Sequence, residues 1–352
     1  MTSSLVLSVD AMGGDHAPES VVAGAAQFLK GRRRAVSFLF HGDEARIAPL
    51  LDQHPALKAA SEIRHSDTEV DMSAKPSEAV RRSRGSSMWN TVHAVKDGEA
   101  GVAVSAGNTG ALMAISKVIL RMKPGVHRPA IAASWPAPQG FSTVLDVGAN
   151  VEITPSQLLE FAVLGEAFHR AVHGVARPTV GILNVGQEEL KGSQIIREAD
   201  ALMRKAGLDM DYKGFVEGDD ISAGTTNVVV TDGFTGNVAL KTAEGTARLV
   251  AGWLREALTG SITGKLAAAI LQLGALRGLR ARMDPGNVNG GVFVGLNGVV
   301  VKSHGGADAA GFATALRIAL ELADSRFLTE IENNLATLAT LETQNAAAAA
   351  EG

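Results

Sequence analysis

Four polar glycine turns carry the residues best suited to chemistry in this chain. Asp10, Gly13, Gly14, Asp15 and His16 follow a short apolar run and precede a helical pattern, as do Ser105, Gly107, Asn108, Thr109 and Gly110. Asp146, Gly148 and Asn150 end a third run, and Asp232, Gly236 and Asn237 end a fourth, with Lys241 one helical turn further on. Strand-to-helix turns of this kind aim backbone N–H groups at the helix N-terminus, where an anion is stabilised. Any one of them could equally be a structural turn with no ligand. Four such turns, with Asp, Asn, Thr and Lys among them and expected on one sheet edge, suit a phosphate or phosphate-like ligand.

Several other chemistries are excluded or demoted. The chain has no cysteine, which removes disulfides, thiolate-held metals and a cysteine nucleophile. No Gly-x-Gly occurs, so the dinucleotide fingerprint is absent. The segment 260–266 (GSITGKL) is one residue short of a P-loop and has Leu266 where Ser or Thr must reach magnesium. His169 and His173 have metal-ligand spacing but lack the glutamate of a zincin; a solvated helix face is the simpler reading. No metal and no cofactor are expected. The formal charge of −4 and 4% aromatic residues argue against nucleic acid as a partner.

The motifs at 9–18 (VDAMGGDHAP), 105–113 (SAGNTGALM), 145–150 (LDVGAN), 181–192 (GILNVGQEELKG), 214–219 (GFVEGD), 232–241 (DGFTGNVALK) and 296–305 (LNGVVVKSHG) resemble, in order, those of the bacterial phosphate acyltransferases of phospholipid synthesis. The resemblance runs from residue 9 to 308. It departs from the family at 289–294 (NGGVFV), where a tyrosine and a pair of leucines are usual. A more distant similarity to phosphotransacetylases rests on Asp232, Gly236, Asn237, Lys241, Ser303, His304 and Asp308, with histidine in place of their arginine. These likenesses imply transfer of a fatty acyl group from acyl carrier protein to inorganic phosphate, giving an acyl phosphate for glycerophospholipid synthesis. Asn108, Asp232, Asn237, Lys241, His304 and Asp308 are then the catalytic candidates. Phosphate and the acyl donor would be bound among Asp10, Gly13, Gly14, Asp15, His16, Ser105, Gly107, Thr109, Gly110, Arg128, Asn150 and Ser303. Phosphate is already ionised near neutral pH, so it can attack a thioester directly once bound and oriented. An acyl-serine at Ser105 or Ser303 would lack the Gly-x-Ser-x-Gly elbow. Rival readings keep the site but use acyl-coenzyme A, or keep the fold as a non-catalytic scaffold of lipid synthesis.

The elements that must hold these turns are readable in outline. Apolar runs at 5–9, 36–40, 101–104, 130–134, 143–147, 179–183, 214–216 and 228–230 alternate with helical patterns such as 19–29, 155–173 and 193–206. That alternation predicts an α/β fold, a mostly parallel sheet with helices on both faces, similar to phosphotransacetylase-like folds. Runs at 292–294 and 299–302 flank a Gly-Leu-Asn-Gly turn and predict a hairpin. One domain is expected over 1–330, with a mobile tail over 331–352.

The segment 257–283 contains no acidic residue but has Lys265, Arg277, Arg280 and Arg282. Leu258, Ile262, Leu266, Ile270 and Leu273 form one helical stripe within it, and glycines predict a break, hence a helical hairpin at about 253–286. It could pack a core or a dimer, lie on an anionic membrane, or meet an acidic carrier protein. The family resemblance implies a homodimer in the cytoplasm, in peripheral contact with the inner face of the membrane and with the downstream glycerol-3-phosphate acyltransferase. No export signal or spanning segment is evident in the sequence.

Overall fold

A computed structural model describes residues 5–30, 35–208, 210–260, 290–324 and 326–351. The chain opens with β1 (Leu5–Asp10), α1 (Glu19–Leu29), β2 (Val36–Gly42), α2 (Glu44–Asp52), α3 (Pro55–Ala59) and β3 (Ser61–His65). There follow α4 (Pro76–Arg82), α5 (Ser87–Lys96), β4 (Val102–Ser105), α6 (Thr109–Leu120), β5 (Ala130–Ala137) and β6 (Gly140–Leu145). Next come α7 (Pro155–His173), β7 (Thr179–Leu183), α8 (Gln194–Lys205), β8 (Asp211–Val216), α9 (Gly218–Ala223) and β9 (Val228–Val230). The last elements are α10 (Gly233–Thr259), β10 (Gly291–Val294), β11 (Val299–Lys302), α11 (Ala309–Asp324) and α12 (Phe327–Glu351).

The eleven strands among the described residues join one sheet in the order β3-β2-β1-β4-β11-β10-β5-β6-β9-β7-β8. Seven of the ten pairings are parallel, so the expected mostly parallel α/β sheet is what forms. The antiparallel steps fall together in the middle, at β11-β10, β10-β5 and β5-β6. Three reversals in succession leave β6, β9, β7 and β8 running against β1, β2, β3 and β4. The four glycine turns therefore do not share one edge of a uniformly directed sheet, as the sequence pattern suggested; strand direction is set by tertiary pairing and leaves no mark on local periodicity.

The register brings the turns together all the same. One hydrogen-bonded row crosses the sheet through Ile63, Phe40, Val9, Val104, Val301, Val292, Ala132, Leu145, Val230, Ile182 and Phe215. Val9, Val104 and Val301 are the next-to-last residues of their strands, while Leu145 and Val230 are the last of theirs. The two half-sheets are thus staggered, and their carboxyl ends meet from opposite directions along a single row.

Side chains in that row point to one face, because successive residues of a strand alternate. Most of them join the larger core, with Val21, Val22, Leu158, Phe161 and Phe312 of α1, α7 and α11. Beyond residue 330, Ile331, Leu335 and Leu338 of α12 are buried in the same core. The opposite face carries Ala103, Ile131, Val144, Val229 and Val300, covered by Met88, Val92, Leu112 and Ile115 of α5 and α6 and by Ile221 of α9. A cleft opens on that second face. Thr154 and Gln157 start α7 with a reciprocal capping box, and Ser86 and Ser193 cap α5 and α8. Among the described residues, no helix is long and apolar enough to cross a membrane.

Candidate active site

A cleft of about 1090 Å³ lies between the N-terminal turn of α6, the start of α10 and the loop after β11. Of the sequence-predicted residues, Asp15, Gly107, Asn108, Thr109, Gly110, Asn237, Lys241, Ser303, His304 and Asp308 line it. Residues from opposite ends of the chain meet here because β11 inserts beside β4, pairing Lys302 with Ser105.

Directly under the cleft sits a buried polar knot. Asp10 is 1% exposed and accepts a hydrogen bond from Ser105 Oγ at 2.6 Å. Ser105 Oγ in turn accepts from the Gly107 amide at 3.0 Å, fixing the turn that leads into α6. A Cβ on Gly13 would lie 2.5 Å from Asp10 Oδ2 and 2.7 Å from the Gly107 nitrogen, so only glycine lets the first turn close on the second. Burial raises the pKa of Asp10, against the lowering effect of its Ser105 hydrogen bond.

Lys302, which sequence reasoning missed, belongs to this knot and lines the cleft. It is 9% exposed, and its ammonium donates to the Ala106 carbonyl at 3.2 Å and to the Ser303 carbonyl. Burial drives its pKa down to about 8, although Asp10 and Asp15 pull the other way. The one available signal is its place as the only charged residue of Val299–Lys302, whose other members are all valine. Glu244 and Arg248 also line the cleft without having been expected.

Other candidates are committed to scaffolding. Asn108 caps α6 by accepting from the Ala111 amide at 2.9 Å, while its Nδ2 donates to the Met72 carbonyl at 2.6 Å and the Ala74 carbonyl at 3.1 Å. Asp232 caps α10, accepting from Thr235 N and Thr235 Oγ1, both at 2.7 Å. Asp308 accepts from the Gly311 amide at 2.9 Å at the start of α11. Asp146 is fully buried and accepts from the amides of Ile131, Gly148, Ala149 and Asn150, and from Asn150 Nδ2. Burial raises the Asp146 pKa, opposed by those hydrogen bonds. Asn150 also donates to the Pro129 carbonyl and lies outside the cleft lining. A Cβ on Gly236 would strike the Asp146 carbonyl oxygen, which explains the glycine that lets α10 lean on this loop. His16 and Arg128 are exposed and outside the lining, and the half-buried Gly14 is also outside it.

Across the cleft, Lys241 pairs with Glu244 at 2.9 Å, and Arg248 reaches the same carboxylate at 3.3 Å. His304 Nδ1 accepts from the Gly306 amide at 3.1 Å, which places its proton on Nε2 in the neutral ring. Partial burial and the nearby Lys241 charge lower its pKa, favouring that neutral form. Among the described residues, no cluster of three or more His, Asp or Glu could hold a metal ion. His169 and His173 do not lie on a solvated face as expected: His169 is buried against Thr143 Oγ1 at 2.9 Å, and His173 meets Ser134 Oγ at 2.9 Å, because α7 packs that face on the sheet. Of the amphipathic segment, Leu258 falls in the last turn of α10. Ile262, Lys265, Leu266, Ile270, Leu273, Arg277, Arg280 and Arg282 lie outside the described residues.

The family model described as fatty acid synthesis protein matches residues 5–330. A phosphate acyltransferase from Maricaulis maris is 63% identical, over 99% of this chain and 100% of that protein. One from Caulobacter vibrioides is 59% identical, over 96% of this chain and 93% of that protein. A phosphotransacetylase from Streptococcus pyogenes superposes with a TM-score of 0.61 at 18% identity, covering 92% of this chain and 95% of that one. At that identity the likeness is one of fold.

Proposed function

The chain belongs to the phosphate acyltransferases of fatty acid and phospholipid synthesis, which transfer an acyl group to phosphate, and on that premise we propose that it takes the acyl group from acyl carrier protein by direct attack of bound phosphate on the thioester. The observation that carries this reading is the convergence of a buried ammonium, a helix N-terminus and polar side chains from three elements on one cleft. Phosphate sits on the turn amides between Gly107 and Gly110, against the charges of Lys302 and Lys241. One phosphate oxygen adds to the thioester carbon. The resulting oxyanion takes hydrogen bonds from Asn237 Nδ2 and His304 Nε2. The C–S bond then breaks, the sulfur leaves with the proton given up by phosphate, and acyl phosphate remains. Asn108, Asp232 and Asp308 act by positioning, through the helix starts that they cap.

An acidic carrier protein fits the run of four basic residues between 257 and 283. Phe234, Val238, Leu249 and Trp253 leave α10 with exposed apolar side chains, in keeping with a homodimer contact near that helix. Membrane association at the cytoplasmic face follows from the basic amphipathic stripe, and acyl phosphate would pass from there to a glycerol-3-phosphate acyltransferase. The direct test is phosphate-dependent release of free carrier protein from its acylated form, with hydroxylamine trapping of the acyl phosphate. Trapped acyl hydroxamate is expected. Transfer from acyl-coenzyme A but not from the carrier protein would overturn the donor assignment, and acyl-enzyme accumulating without phosphate would overturn direct attack.

A further inference from the structure

A second cavity, about 540 Å³, lies between α9 and α10. Ile221 and Ser222 wall it on one side, Ala239 and Thr246 on the other. Trp135, Ala243 and Ala247 line both this cavity and the catalytic cleft, so the two adjoin along these side chains. The Trp135 ring is 8% exposed and fixed by its Nε1 donating to Ser222 Oγ at 3.1 Å. It is therefore a rigid common wall. Charged residues belong to the cleft alone: Lys302, Asp308, Lys241, Glu244 and Arg248 line it, whereas no ionisable side chain lines the second cavity.

We propose that this second cavity receives the alkyl chain of the acyl donor and that its extent sets which chain lengths are transferred. The inference rests on the acyl-transfer reading above and assigns the part of the substrate that the polar cleft cannot hold. A carbonyl beside Lys302 and Asn237 needs its hydrocarbon led away from the charges, and α10 supplies the path. Asn237 and Lys241 face the cleft, while Ala243 and Ala247 continue along the same helix into the apolar recess. Small side chains at these positions keep the recess open. Each methylene moved from water into it should strengthen binding about fourfold.

Titration calorimetry of the full chain with octanoate, dodecanoate and hexadecanoate tests the cavity without requiring turnover. Affinity is expected to climb with chain length and then level off. Ala239→Leu fills the recess from α10. Gly218→Leu fills it from α9, where an added Cβ meets nothing within 4 Å. Either variant, shown to be folded by its thermal transition, should level off at a shorter chain. Each should also lower the kcat/KM ratio of long over short acyl donors about tenfold or more. Length-independent binding by the wild type, or folded filler variants with unaltered profiles, would overturn the proposal. Length-dependent binding with no acyl phosphate formed by any variant would support the alkyl cavity and defeat the reaction assigned to the cleft.

Discussion

Asp10 and Asp146 each stand one residue past the same row of the sheet, one at the end of each half, and both are buried. Their surroundings differ in kind. Asp146 is held by four backbone amides and one side-chain amide, a closed arrangement that anchors the β6 turn. Asp10 is held by the side chains of Ser105 and Ser87 and by one long amide contact at 3.3 Å, and it faces the Lys302 charge. A carboxylate satisfied by backbone is fixed and inert. One that shares a desolvated space with a lysine keeps a charge poised beside the cleft, where an anion can use it.

The sharpest test of this contrast is Lys302. Lys302→Met should lower kcat/KM by about 100- to 1000-fold, the typical loss of one preorganised donor, with the circular dichroism of the fold retained. The wild-type rate should also fall as pH rises through about 8, because the ammonium is the required form and deprotonates there. Lys302→Arg should recover part of the rate and move that alkaline limb outward, since guanidinium stays charged. An unchanged limb would remove Lys302 from the reaction. On the other side of the comparison, Asp146→Ala should cost about 3 kcal/mol in urea unfolding through its orphaned amides. Turnover per folded molecule should stay close to wild type; a large kcat loss would erase the distinction between the two aspartates. The smallest effect is expected at Asp232. Asp232→Ala removes the α10 cap and should lower stability by about 1 kcal/mol, with less than a tenfold loss of rate. A larger rate loss would return its carboxylate to the chemistry.

Several elements were legible to the residue. The patterns at 19–29, 155–173, 179–183 and 228–230 coincide with α1, α7, β7 and β9. The sheet's reversal was not legible, since hairpin and crossover strands share the same apolar composition. In the site, polar turn residues stood out by type, but type does not say where a side chain spends its hydrogen bonds. Asn108 and Asp232 looked catalytic because caps and catalysts draw on the same residues. Lys302 was overlooked because a lysine at a strand end reads as an exposed terminus, and its burial comes from neighbours remote in sequence. The missing cysteine, by contrast, constrained the mechanism from composition alone.

The central position of β11 also governs how the protein can be made. During synthesis β1 to β4 emerge long before the hairpin of β10 and β11 that must lie against β4. Until then β4, buried in the finished sheet, is an edge with unpaired amides and an apolar face, open to pairing with other chains. Asp10, Ser105 and Lys302 cannot meet before that insertion. Catalytic competence therefore waits on that insertion, and a chain stopped before β10 would be prone to aggregate rather than merely inactive.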